Sequence, residues 1–163
     1  SARVTPRTPT DMLETFLPLC RAVSGVDLSD AAAAEAELTR RLDPAGPEGQ
    51  RIAADMKALL EAGKIADRGE LPVRWGRVAK ATDETLDLSI DVVLMTGPGP
   101  KHRHPNGEVS FAIALDGEPR FDGHTEGWVV LTPDSVHVPT VEGGTMLIAY
   151  FLPQGAMEFL ETV

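Results

Sequence analysis

Residues 97–108 contain three side chains whose types and spacing suit metal chemistry: His102, His104 and Glu108. Strand side chains alternate with period two, so a His-x-His pair on a strand turns both imidazoles to one face. Pro105-Asn106-Gly107 reads as a tight turn, since proline fixes its own φ and Asn and Gly tolerate positive φ. Glu108 is then expected to open a second, antiparallel strand beside the first. Two neutral nitrogen donors and a carboxylate converging from neighbouring strands suit a divalent transition metal such as Fe, Mn, Zn or Ni. The competing reading is a solvated turn carrying two incidental histidines.

The elements that must position these groups change character along the chain. Apolar residues recur at helical spacing through Met12, Leu13, Phe16, Leu17, Leu19, Cys20 and Val23, behind a start signal at Thr8-Pro9-Thr10-Asp11. Pro18 is expected to kink or split that helix. A second helix is expected from residue 31 to Leu42, capped by Asp27 or Ser29, and a third over about 48–62 with Gly63 as its stop. These helices read as a packing appendage in preference to a lid or a dimerisation element.

From Leu71 the period becomes two. Strands are expected over 72–79, 85–95, 108–115, 120–122, 127–131, 136–140 and 145–152, divided by Gly/Pro/Asp turns, with a short helix over 157–162. In the strand that Glu108 opens, Ser110, Ala112 and Ala114 share its parity, whereas Val109, Phe111, Ile113 and Leu115 take the other. An inner wall of small side chains leaves room for a ligand that bulky residues would fill. The resulting organisation is a helical region over 1–68 and an all-β sandwich or barrel over 69–163.

Composition narrows the partners. The chain has 163 residues, 42 % of them hydrophobic and 25 % charged, which suits one soluble domain with a substantial core. A net charge of −10 argues against nucleic acid and anionic membranes, which call for a positive footprint. The lone cysteine, Cys20, cannot form an intrachain disulfide and fits a reducing compartment. With no membrane-length apolar run and no charged-then-apolar leader, a cytoplasmic protein is the expectation. Exposed sheet edges and the helical arm suggest a homodimer.

His102-x-His104-x3-Glu108 resembles the first motif of the cupin superfamily, although Gly97 is one residue nearer and Gly117 two residues later than that pattern places its glycines. The resemblance implies a cupin-like double-sheet β-barrel (a jelly roll, or double-stranded β-helix) in which His102, His104 and Glu108 are metal ligands. The second cupin motif, which supplies a third histidine, is degenerate. With Pro133 as its proline, His137 falls one residue early; with Pro139, Gly144 occupies the histidine position and His137 lies two residues ahead of the proline. His137 is therefore carried as a ligand or as a catalytic group.

Helices ahead of a cupin-like half, the segment Thr132–Gly144 (TPDSVHVPTVEGG) and the ending Tyr150–Gly155 (YFLPQG) also resemble the hydroxylaminobenzoate lyases of nitroaromatic degradation. That likeness implies conversion of 4-hydroxylaminobenzoate, a small aromatic acid, to protocatechuate and ammonia with no net redox change. A Lewis-acidic metal would assist the N–O chemistry, and His137 or His124 would move protons, although His124 reads as an exposed loop residue in preference to a catalytic one. Arg74 or Arg77 would hold the ring carboxylate, and Trp75 and Tyr150 would pack against the ring or serve the core. Two other classes compete on the same scaffold: a metal-dependent dioxygenase, which stops without O₂, and a non-enzymatic small-molecule-binding module.

Overall fold

The computed structural model describes residues 12–160. Three helices, α1 (Met12–Val23), α2 (Ala31–Arg41) and α3 (Pro47–Glu61), precede nine strands. These are β1 (Arg68–Glu70), β2 (Val73–Ala79), β3 (Leu88–Met95), β4 (His102–His104), β5 (Glu108–Phe121), β6 (Gly127–Leu131), β7 (Ser135–His137), β8 (Val141–Pro153) and β9 (Glu158–Phe159). The expected start signal of the first helix at 8–11 lies outside the described residues. No described helix is long and apolar enough to cross a membrane.

The strands form a six-stranded antiparallel sheet, β1-β2-β3-β8-β5-β6, facing a three-stranded sheet, β7-β4-β9. This is the cupin-like double-sheet jelly roll. Among the described residues no continuous ladder joins the two sheets; the segments that lead from β3 to β4 and from β7 to β8 meet at an isolated bridge, Pro98 to Thr140.

Period-two alternation divides the large sheet into two faces with separate cores. Ile90, Val92 and Leu94 of β3, Val109, Phe111 and Ile113 of β5, and Leu147, Ala149 and Phe151 of β8 point outward. They pack against Phe16, Leu19, Cys20, Leu38, Ile52 and Met56 of the helices. The opposite parity, including Met95, Ala112, Met146 and Ile148, faces the small sheet. The helices therefore cover the back of the large sheet and leave its front to the cavity. Two polar contacts seat α2 on edge strand β6: Trp128 Nε1 donates to Leu42 O at 2.9 Å, and the Val130 amide donates to Glu35 Oε1 at 3.2 Å. The second contact occupies a main-chain donor that an open edge would otherwise expose.

Several expectations need correction. Pro18 does not split α1, whose buried face (Phe16, Leu19, Cys20, Val23) is held across it by packing against the sheet. The cap of α2 is Asp30, which accepts from the Ala33 amide at 3.1 Å, while Asp27 accepts from the Ser29 amide. β3 begins at Leu88 because Leu86 and Asp87 adopt positive φ within a turn tied by Thr82 and Thr85. β5 runs through the expected turn at 116–119 by shifting register twice against β8. The expected helix over 157–162 is replaced at 158–159 by β9, which pairs with β4. β4 pairs with β7 and β9, and β5 lies in the other sheet. The turn at 105–107 thus carries the chain across from the small sheet to the large one.

Candidate metal centre and pocket

Period two places His102 and His104 on the inner face of β4, His104 fully buried and His102 nearly so. Arg103 points the other way, where its guanidinium pairs with Glu158 at 2.9 Å and with Asp134, tying β4 to both flanks of the small sheet. The β4–β7 register sets His137 directly opposite His102. Gly107, at φ +83°, closes the crossing turn, with its amide donating to His104 O at 3.2 Å. A Cβ there would meet Leu131 O at 2.9 Å, so the close approach of the turn to β6 requires glycine. The turn delivers Glu108, the first residue of β5, to the same interior from the large sheet, where it is 4 % exposed.

His102, His104, Glu108 and His137 each offer a ligand atom, and these atoms lie within 4.8 Å of one another. His137 Nε2 stands 2.8 Å from His102 Nε2 and 2.9 Å from His104 Nε2, and His104 Nε2 is 2.5 Å from Glu108 Oε2. The second oxygen of Glu108 accepts from Ser110 Oγ at 2.7 Å. Burial pushes the Glu108 carboxyl up, but the bond from His104 and that from Ser110 outweigh it and hold the group below the usual carboxylate range. Burial, opposed by Glu108, brings His102 down to about 4, so its imidazole is neutral near pH 7 and its lone pair is available.

Asp122 orients the His137 ring. Its Oδ2 lies 2.7 Å from His137 Nδ1, and its Oδ1 accepts from the Thr140 amide at 2.9 Å. A carboxylate accepting on both oxygens leaves Nδ1 as the donor and turns His137 Nε2 towards the cluster. Three imidazole nitrogens and a carboxylate oxygen crowded this closely are the arrangement that a cation between them satisfies. Three nitrogens and one oxygen, with a carboxylate behind one imidazole, fit a divalent transition metal.

The cluster borders a cavity of about 410 Å³, within the range of roughly 300–1,000 Å³ typical of small-molecule sites. His102 and Glu108 form one part of its wall; Val93, Met95, Phe121 and Ile148 supply apolar surface, and Trp75 and Tyr150 add aromatic rings. Burial pushes the Tyr150 phenol well above its usual range, with Asp91 and Glu108 adding to the effect, so it is a proton-bearing hydroxyl near pH 7.

The other residues picked out in the sequence stand elsewhere. His124 is half exposed, 3.7 Å from Glu35 and apart from the cluster. Arg74 Nε donates to Ala66 O, and Arg77 pairs with Asp91 at 3.1 Å. Neither arginine lines the cavity. Sequence reasoning missed Asp122, which sits in a polar Asp-Gly turn with no spacing that ties it to His137. It also missed Met157 and Phe159, cavity-lining residues where a helix was expected.

Two facing antiparallel sheets that gather three imidazoles and a carboxylate beside an apolar cavity define a protein of the cupin class. A family model described as PnbB, 4-hydroxylaminobenzoate lyase, matches residues 16–159, and the chain belongs to that family. The 4-hydroxylaminobenzoate lyase of Nocardioides sp. (strain LMS-CY) is 27 % identical over 166 residues, covering 93 % of this chain and 95 % of its own. That of Pseudomonas putida is 29 % identical over 102 residues, covering 53 % and 58 %. Among solved structures, a cupin-like protein from Thermotoga maritima is 18 % identical with a TM-score of 0.41, covering 61 % of this chain and 87 % of that one.

Proposed function

We propose that the protein is an ammonia-releasing lyase that converts 4-hydroxylaminobenzoate to protocatechuate at a divalent-metal site. The observation that carries this reading is the convergence of His102, His104, His137 and Glu108 beside an apolar, aromatic-lined cavity, in a chain that belongs to the family over nearly its whole length. The balance is closed by one water: hydroxylaminobenzoate plus water gives protocatechuate plus ammonia. Oxygen is gained at the ring carbon beside nitrogen, the N–O bond breaks, and hydrolysis of the resulting imine releases nitrogen as ammonia. Electrons taken up by nitrogen come from the ring, so no external oxidant is needed.

Held by His102, His104, His137 and Glu108, a divalent metal would supply Lewis acidity towards the hydroxylamine oxygen or a water. The chain's own groups account for the rest. Trp75 and the apolar wall bind and orient the ring and exclude bulk water. The Tyr150 hydroxyl, proton-bearing at the cavity wall, is placed to donate a hydrogen bond to oxygen or nitrogen as charge develops. Asp122, bonded to His137 Nδ1, keeps Nε2 turned towards the cluster.

The test is anaerobic turnover of 4-hydroxylaminobenzoate by metal-replete protein, with ammonia and protocatechuate quantified together. Equimolar release without O₂ is expected, and His104→Ala should lower it by about a hundredfold or more. A requirement for O₂ would replace the lyase by a dioxygenase; no turnover of any ring hydroxylamine, with or without O₂, would leave a binding module.

A further inference from the structure

Among the described residues, no lysine or arginine lines the cavity. An aromatic acid buried with its carboxylate inside would therefore pay for desolvation of a charge without a partner. The carboxylate must lie at the end away from the cluster. The cavity extends across the inner face of the large sheet to Val73 and Trp75 of β2, beside edge strand β1, and Trp75 there is 46 % exposed.

Arg68 stands at that end. It is the register partner of Trp75, so the two side chains leave the same face of the sheet. Its guanidinium carbon lies 5.5 Å from the centroid of the indole. Gly69, at φ +75°, makes this seating possible, because a Cβ there would meet Trp75 Cδ1 and Nε1 at 3.2 Å. The indole is thus a shared wall, lining the cavity and contacting the Arg68 cation.

The neighbouring arginines are engaged elsewhere: Arg74 by Ala66 O, Arg77 by Asp91, Arg103 by Asp134 and Glu158, and Arg120 by Gly123 O. Among the described residues, Arg68 makes the ring contact and no ion pair, and Glu70, two positions on, does not pair with it. A guanidinium on an aromatic face keeps its planar fork of donors open, and that fork matches a carboxylate in bidentate geometry.

We propose that Arg68 is the carboxylate-recognising residue of this pocket. A single-ring aromatic acid lies with its ring along Trp75, its carboxylate on the Arg68 fork, and the substituent at the opposite ring position at His102 and Glu108. The inference rests on the proposed function for the substrate's 4-substituted shape and deepens it by assigning the group that selects an acid over a neutral ring.

Binding and turnover test it separately. Calorimetry with 4-aminobenzoate and its neutral counterpart 4-aminobenzamide is run on wild type, Arg68→Gln and Arg68→Lys. Arg68→Gln is expected to weaken the acid by about tenfold or more while changing the amide less than about twofold, and Arg68→Lys should restore part of the loss. In turnover of 4-hydroxylaminobenzoate, Arg68→Gln should raise KM by about tenfold with kcat little changed, the signature of lost uniform binding. Equal losses for acid and amide, or no loss for the acid, would overturn the anchor. Acid binding through Arg68 without ammonia release keeps the anchor and removes the lyase reading. Ammonia release with an unchanged KM in Arg68→Gln does the reverse. If wild type binds neither ring and releases no ammonia, both fall.

Discussion

At the scale of single residues, the side chain that decides the state of the cluster is Asp122, which touches no substrate surface and instead holds His137 in one tautomer. Asp122 sits at φ +48°, a conformation that asparagine also tolerates, so Asp122→Asn preserves the backbone and isolates the chemistry. Its amide NH₂ must then face either His137 Nδ1–H or the Thr140 amide, and one of two good contacts becomes donor against donor. Metal affinity, read by competition with a calibrated chelator, is expected to fall by about ten- to a hundredfold with an unchanged circular-dichroism spectrum. Affinity within twofold of wild type would mean that His137 orients itself. Such a residue is hard to see in sequence. The His-x-His-x3-Glu group was legible because local backbone geometry fixes it, through strand parity and one tight turn. Asp122 lies 15 residues before His137 and meets it only because β7 is brought beside the end of β5. The same limit affected the arginines: parity could not separate Arg74 from Arg77, and Arg68 lies in a three-residue edge strand too short to leave a periodic trace.

At the scale of elements, the two parities of β5 explain how helices and pocket share one sheet. Small residues at Ser110 and Ala112 face inward and leave volume, while Val109, Phe111 and Ile113 face outward and carry the helices. This division was visible in the sequence as a contrast of side-chain size. The pairing of β4 was not, since a tight turn ordinarily announces a hairpin and here it joins opposite sheets. The helices act through packing. Phe16→Ala, at a position with no solvent exposure, should cost about 3–5 kcal/mol in denaturant unfolding. Metal affinity in the folded variant should stay within about twofold of wild type, because Phe16 lies on the far side of the sheet from the cluster. A large loss of affinity in folded protein would instead connect the helices to the site. Cys20 belongs to the same layer: burial pushes its thiol up to about 12, so it behaves as a packing group.

At the scale of the whole molecule, the helices close the back of the large sheet and the small sheet closes part of its front, so the cavity is the space left between two sheets that do not merge. The turn at 105–107 passes the chain from one sheet to the other, and the four donor atoms consequently belong to both. No hairpin of this chain holds the full set; it exists only after β4, β5 and β7 have all been placed. A metal ion should therefore be a late participant in folding and a strong one in resisting unfolding. Stopped-flow measurements with and without saturating zinc are expected to give refolding rates equal within about twofold and an unfolding rate slowed by about tenfold or more in the loaded protein. Faster refolding with zinc would place the histidine pair in the folding nucleus. The crossing turn thus separates two quantities that a metal often joins: on this expectation the chain's ability to reach its fold would be independent of metal supply, and the time it remains there would not.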